Sequence, residues 1–195
     1  YRILKAAEIL ISNGVAKPIL LGSKEKMEAI IEEYQLELQE AEFIDIMADR
    51  EGRETYDTQM YEFRKRRGWT MGECRSKIKS REYYGNMMLR EGGADALISG
   101  LTVKYPTALR PILRLIGMEE GMRKAAGMYI LLSKRGPLFF ADTTINLDPT
   151  VEDLVQMVLN VADTVKRTNI IPKVALLSYS NFGSSNGPDA RKMAK

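Results

Sequence analysis

Short apolar runs alternate with amphipathic helical patterns along almost the whole chain, and this alternation restricts the fold more than any other feature. A first helical stripe, Ile3, Leu4, Ala7, Leu10 and Ile11, ends at Asn13-Gly14, and residues 18–22 then read as a buried strand. Met27, Ile30, Ile31 and Tyr34 recur at the helical period, and residues 43–47 form a second strand pattern. Helical segments follow from about Thr55 and over residues 71–79, leading into Tyr83 and Tyr84, and residues 94–100 are a strand that ends in Ser99-Gly100. Farther on, residues 127–133 and 137–142 flank Lys134-Arg135-Gly136 in the manner of a hairpin. Val151, Leu154, Val155, Val158, Leu159, Ala162 and Val165 then share one helical face, with Thr150 as N-cap and Asp153 at the capping-box position. Strands separated by helices bury their faces against those helices, so the expected class is α/β with a layered αβα sheet. A composition shift near Gly117 and Gly121 divides the chain into a first lobe, residues 1–117, and a second, residues 118–195.

The last apolar run, residues 173–177, breaks into Ser178, Ser180, Ser184 and Ser185 around Gly183 before a helical pattern begins at Asp189. A strand that ends in hydroxyls and backbone N–H groups ahead of a helix suits phosphate or another anion, because ligands of open α/β sheets bind at the carboxyl edge. The same serines also serve as turn and cap residues. Both ends of the sequence fall within helical patterns and no initiator methionine opens it, which predicts a piece of a longer protein.

Composition sets the chemical limits. Lys and Arg number 29 against 26 Asp and Glu, a net charge of only +3, so no global field calls for nucleic acid. Cys74 stands alone, which rules out an internal disulfide and fits a reducing cytoplasm, and no apolar stretch is long enough for a bilayer. Histidine is absent, so neither a Ser-His-Asp nor a Cys-His unit exists, nor a His-containing zinc site. Chemistry here rests on carboxylates, arginines, hydroxyls and backbone amides.

Three constellations point to an anion. Arg64-Lys-Arg-Arg-Gly68 concentrates positive charge, Ser99-Gly100 ends a strand, and Arg110 lies between Leu109 and Pro111 in a helical stretch. Arginine grips phosphate through two parallel hydrogen bonds, each charge-assisted contact being worth about 1.5–3 kcal/mol. Arg66 and Arg67 read more simply as solvated cations at a helix C-terminus. Asp142, at a strand end, either faces a ligand or caps the turn that follows, and Trp69, Tyr83 and Tyr84 offer ring faces whose simplest use is packing.

At these residues the chain resembles the phosphate acetyltransferase/phosphate butyryltransferase family over essentially its whole length. The matching landmarks are Lys17-Pro-Ile-Leu-Leu-Gly22, Arg64-Lys-Arg-Arg-Gly68, residues 93–100, Leu109-Arg-Pro111, Ala141-Asp142 with Asn146, Asp148-Pro149 and residues 175–180. The resemblance implies two lobes with a cleft between them, a fold related to isocitrate and isopropylmalate dehydrogenases, an incomplete second lobe, and a homo-oligomer. It also implies acetyl-CoA or phosphate as ligand, with Arg64 and Arg110 matching upstream arginines of the family's active site. Ser99, Gly100, Lys104, Asp142, Ser178 and Ser180 complete the expected binding set.

Two departures bear on activity. The family's Leu-Ser-Arg-Gly segment, which carries a Ser-Arg pair near an aspartate, does not occur before Lys195. Val103 occupies the position of a family histidine, and Lys104-Tyr105 replace a hydroxyl pair. This pattern is similar to the phosphotransacetylase-like region at the C-terminus of bacterial NADP-dependent malic enzymes. It implies a regulatory, non-transferring domain in the cytoplasm, joined to an upstream malate-oxidising domain that alone holds NADP and a divalent metal. A catalytically active phosphate acetyltransferase is the alternative, and no membrane or nucleic-acid partner is expected.

Overall fold

Helix α1 (Arg2–Ser12) forms because its apolar residues recur every three to four positions, and it buries Leu4 and Ala7. These two pack with Leu20, Leu36 and Leu38, flanked by the partly buried Met27, Ile30 and Ile31. Leu20 belongs to β1 (Ile19–Leu21), and the flanking residues to α2 (Lys24–Tyr34), which starts where the Ser23 hydroxyl accepts from the Lys26 N–H. β2 (Glu42–Ile44) pairs parallel with β1, Leu20 opposite Phe43. Parallel neighbours require a crossover, which α2 supplies.

A second core lies among α3 (Arg50–Arg64), α4 (Met71–Lys77), α5 (Arg81–Arg90) and α6 (Tyr105–Leu115), and its centre includes Met60, Cys74, Ile78, Met87 and Leu115. α3 begins five residues before the expected Thr55. The Asp49 carboxylate accepts from the Gly52 N–H at 3.0 Å and from the Tyr84 hydroxyl, so an N-cap fixed from another helix sets the start that the polar sequence obscures. A 3-10 turn, Lys65–Arg67, ends at Gly68, whose φ of +82° is the left-handed geometry that glycine accommodates. Thr70 and Glu73 form a capping box at α4, and the Ser80 hydroxyl caps α5.

The computed structural model describes residues 1–195, and these cluster into two units, Tyr1–Gly117 and Met118–Lys195. In the second unit β3 (Met128–Ser133) and β4 (Gly136–Ala141) form the expected antiparallel hairpin, Met128 opposite Ala141 and Ser133 opposite Gly136. α7 (Val151–Lys166) opens with the reciprocal Thr150–Asp153 capping box read from the sequence. α8 (Pro188–Ala194) follows the serine-rich segment.

The strands do not join in one layered sheet. They pair as two separate two-stranded sheets, one parallel and one antiparallel. Residues 94–100 and 173–177, both expected as strands, have no ladder partner. Ala94 packs against the second core, and a β-carbon at Gly85 would stand 2.9 Å from Leu97 Cδ1, whereas Ile98 is 91% exposed. An apolar run marks a segment that can be buried, but strand formation also needs an edge to bond to. No helix is long and apolar enough to cross a membrane.

Candidate anion site

Arg64 is the most unusual side chain in the first unit. It closes α3, yet only 4% of it is exposed, and its Nε is buried without a hydrogen-bond partner. Its guanidinium carbon lies 5.0 Å from the Phe63 ring centroid and 5.8 Å from that of Trp69. Burial, and then the charges of Arg67, Arg114 and Arg90, push the guanidinium below its ordinary pKa, against a smaller opposing effect of Tyr83. Arginine nevertheless stays protonated, so the positive charge persists.

Two further arginines surround the same rings. Arg114, on the last turn of α6, lies 5.6 Å from the Trp69 centroid and donates from Nη1 to the Tyr83 hydroxyl at 3.0 Å. Arg90, the last residue of α5, lies 3.8 Å from the Phe63 centroid and donates from Nη1 to the Leu115 carbonyl at 2.6 Å. Its Nε is 3.7 Å from the Glu91 carboxylate, the one acidic partner in the group. Three helix C-termini thus deliver three guanidiniums to two aromatic side chains. The ring faces and helix ends offset part of the repulsion, at about 0.5–2 kcal/mol per cation–π contact and 0.3–1 kcal/mol per helix end.

The expected site residues fall in several places. Arg64 is in the cluster. Arg110 shares α6 with Arg114 at a spacing of four, but it is exposed. Ser99 and Gly100 lie in the unpaired segment before α6, where the Gly100 carbonyl accepts from the Val103 N–H at 2.8 Å, and the exposed Lys104 is the N-cap residue of α6. Arg66 and Arg67 are exposed, as cations at a helix end usually are.

Asp142, Ser178 and Ser180 belong to the second unit. The Asp142 carboxylate accepts from the backbone N–H groups of Gly127 at 2.8 Å, Thr144 at 3.3 Å, Ile145 at 3.2 Å and Asn146 at 2.7 Å, and from the Asn146 amide side chain. Burial pushes this carboxyl up, but the Asn146 side chain and the backbone donors outweigh it and hold it below the usual aspartate value. Ser178 and Ser180 bind their own loop: the Ser178 hydroxyl accepts from the Ser180 N–H at 3.2 Å, and the Ser180 hydroxyl from the Ser185 N–H at 3.1 Å.

The remaining reactive groups add little. Cys74 is fully buried, and burial, followed by Asp57 and Glu73, pushes its thiol up and away from thiolate. No group of three or more acidic or cysteine side chains converges in a way that could hold a metal ion. The arrangement around Arg64 is suited to binding a negative charge.

Residues 1–195 match the model of the phosphate acetyl/butaryl transferase family. The chain belongs to that family. It is 38% identical over 196 aligned residues to an NADP-dependent malic enzyme of Salmonella typhimurium, which covers 98% of this chain and 26% of that protein. It is 31% identical over 193 residues to a phosphate acetyltransferase of Clostridium acetobutylicum, covering 95% of this chain and 58% of that one. A solved phosphotransacetylase from Streptococcus pyogenes superposes with a TM-score of 0.86 at 29% identity, over 98% of this chain and 58% of that structure. The chain therefore spans about a quarter of the malic enzyme and somewhat over half of the two phosphotransacetylases.

Within this family member, sequence reasoning missed Arg90 and Arg114 and assigned the aromatic residues to packing. A signal for Arg114 was present: it lies four residues after Arg110 and between Leu113 and Leu115, so one helix face carries both guanidiniums. Apart from the adjacent Glu91, nothing local marks Arg90, because its other partners, Phe63 and Leu115, are far away in sequence.

Proposed function

We propose that this chain is the phosphotransacetylase-like domain of an NADP-dependent malic enzyme and binds acetyl-CoA as a regulator without transferring its acetyl group. The observation that carries the binding is Arg64, buried to 4% exposure with no acidic partner, in a group of arginines that an anion would neutralise. Arg64, Arg110, Lys104 and the Ser99-Gly100 backbone would hold the phosphates. The αβα frame of the isocitrate and isopropylmalate dehydrogenases, with two lobes and a cleft, belongs to the same proposal. So do a homo-oligomer, a cytoplasmic location, and an upstream domain that binds NADP and a divalent metal.

Regulation is favoured over transfer by the loop before α6. Acetyl transfer to phosphate needs a thiolate leaving group on one side and an oriented phosphate oxygen on the other. Val103 is apolar, and the exposed Lys104 offers charge but no short hydroxyl to position the acyl carbon. For acetyl-CoA to control malate oxidation, it must bind the active and inactive states of the full-length protein with different affinities.

The deciding experiment uses the full-length protein. NADPH formation from malate is followed with and without acetyl-CoA, beside acetyl phosphate formation from acetyl-CoA and phosphate, in wild type and Arg110→Ala. Malate oxidation that responds to acetyl-CoA, loses that response in the variant and comes with no acetyl transfer is the expected result. Rapid acetyl transfer without malate oxidation would establish the alternative, an active phosphate acetyltransferase.

A further inference from the structure

The arginine group holds more positive charge than one singly charged ligand would balance. Arg64 has no acidic partner, Arg114 has only the neutral Tyr83 hydroxyl, and Arg90 alone has a carboxylate near it, Glu91 at 3.7 Å. Three cations without an acidic partner therefore lie around Trp69: the guanidiniums of Arg64 and Arg114, and the Lys77 ammonium, 5.2 Å from the ring centroid. A monoanion between them would leave one cation still facing another in a partly buried setting, where repulsion is weakly screened.

The geometry also shows why Arg114 stays in place without a ligand. Tyr83 is held in α5, its ring is 6.2 Å from Trp69, and its hydroxyl accepts the Arg114 Nη1–H. The guanidinium is thus fixed by a neutral group that leaves its charge unspent. Arg90 is fixed in a similar way by the Leu115 carbonyl, at the end of the helix that carries Arg114. A guanidinium oriented in advance loses less entropy when an anion arrives.

We propose that Arg114, positioned by Tyr83, makes the Arg64 site selective for a ligand bearing two or more phosphate charges, with Arg90 as a fixed third cation. This rests on the anion-binding reading of Arg64 given above and adds the residue that sets the charge preference. Arg114 makes the second grip, so removing it lowers affinity for a multiply charged ligand more than for a singly charged one.

The test titrates inorganic pyrophosphate and inorganic phosphate into the full-length protein by calorimetry, at constant ionic strength and at mildly acid pH, where phosphate is mostly a monoanion and pyrophosphate keeps at least two charges, for wild type, Arg64→Gln, Arg114→Gln, Tyr83→Phe and Arg2→Gln. Wild type should bind pyrophosphate at least about ten-fold more tightly than phosphate, on the scale of one charge-assisted contact. Arg114→Gln should bring the two affinities to within about two-fold, Tyr83→Phe should narrow the gap partway, and Arg2→Gln, at an exposed position on α1 outside the group, should leave the ratio unchanged. The ratio separates anion selectivity from structural damage, because misfolding weakens both ligands alike. In anion-free buffer Arg114→Gln should also unfold no earlier than wild type, since it relieves repulsion on Arg64.

A wild-type ratio preserved in Arg114→Gln, or lost equally in Arg2→Gln, would overturn the proposal. If Arg64→Gln abolishes binding while Arg114→Gln keeps the wild-type ratio, the anion-binding reading survives and only this inference fails. If neither variant alters either titration, both fail together.

Discussion

Arg64 and Asp142 are both charged groups on landmarks of the same family, and they are treated in opposite ways. Asp142 accepts five hydrogen bonds from within its own unit, and these donors keep it ionised and fully engaged. Arg64 is buried beside other cations, and its Nε has no partner. A charge whose bonds are closed internally stabilises a loop, whereas a buried charge left open is held at a cost that an external anion removes. The pair yields opposite mutational signs. Asp142→Ala strands several backbone N–H groups at once and should destabilise the protein by about 3 kcal/mol, read from denaturant midpoints at constant slope.

Acid should sharpen the contrast within the second unit. Asp153 accepts from Lys124 Nζ at 2.6 Å and from the Thr150 N–H at 3.0 Å, and these bonds lower its carboxyl from 3.8 to about 2. A group whose pKa is depressed on folding contributes stability that is complete above its unfolded value and fades as pH falls toward the folded one. The capping box should therefore stabilise fully above about pH 5 and weaken between pH 3.8 and about 2. Asp153→Asn should be less stable at pH 7 and lose less on acidification, a pattern that thermal unfolding across this range would reveal. Equal acid sensitivity in the two proteins would show that the Lys124 and Thr150 bonds contribute little.

Removing the open charge should act the other way. Arg64→Met exchanges a buried, unpartnered guanidinium for an apolar chain of similar reach, so in anion-free buffer stability should stay level or rise by about 1 kcal/mol. The same variant should lose the stabilisation that phosphate or pyrophosphate gives wild type through binding only the folded form. A large loss of stability without any anion would place Arg64 beside Asp142 as a structural charge and end the contrast.

What could be read from the sequence follows the same division between local and distant causes. The hairpin, the Thr150–Asp153 cap and α1 each depend on neighbours within a few residues, so periodicity and spacing were enough to find them. Asp49 was missed as a helix start because a Tyr84 hydroxyl thirty-five residues later helps fix it. Arg64 was visible as a phosphate candidate from its basic run and its family landmark, but not its burial, which depends on Phe63, Trp69 and the ends of α5 and α6. Residues 94–100 looked like a strand because Ala94, Leu97 and Ile98 are apolar, yet their side chains divide between core and solvent and no edge pairs with them.

That segment offers the smallest and most delicate test. Gly85 lies mid-helix in α5, where alanine would ordinarily gain about 1 kcal/mol of helix propensity. An added β-carbon would meet Leu97 Cδ1 at 2.9 Å and Leu21 Cδ1 at 3.1 Å, both ends of flexible side chains. If residues 94–100 are held only by side-chain packing, Leu97 should yield, and Gly85→Ala should change stability by less than about 0.5 kcal/mol, the propensity gain offsetting the repacking. A loss of about 2 kcal/mol or more would mean that this stretch, and with it the approach to Ser99 and Gly100, is fixed as firmly as a paired strand. Amide exchange at residues 96–100 would then be slow, whereas packing alone predicts exchange as fast as in an open loop.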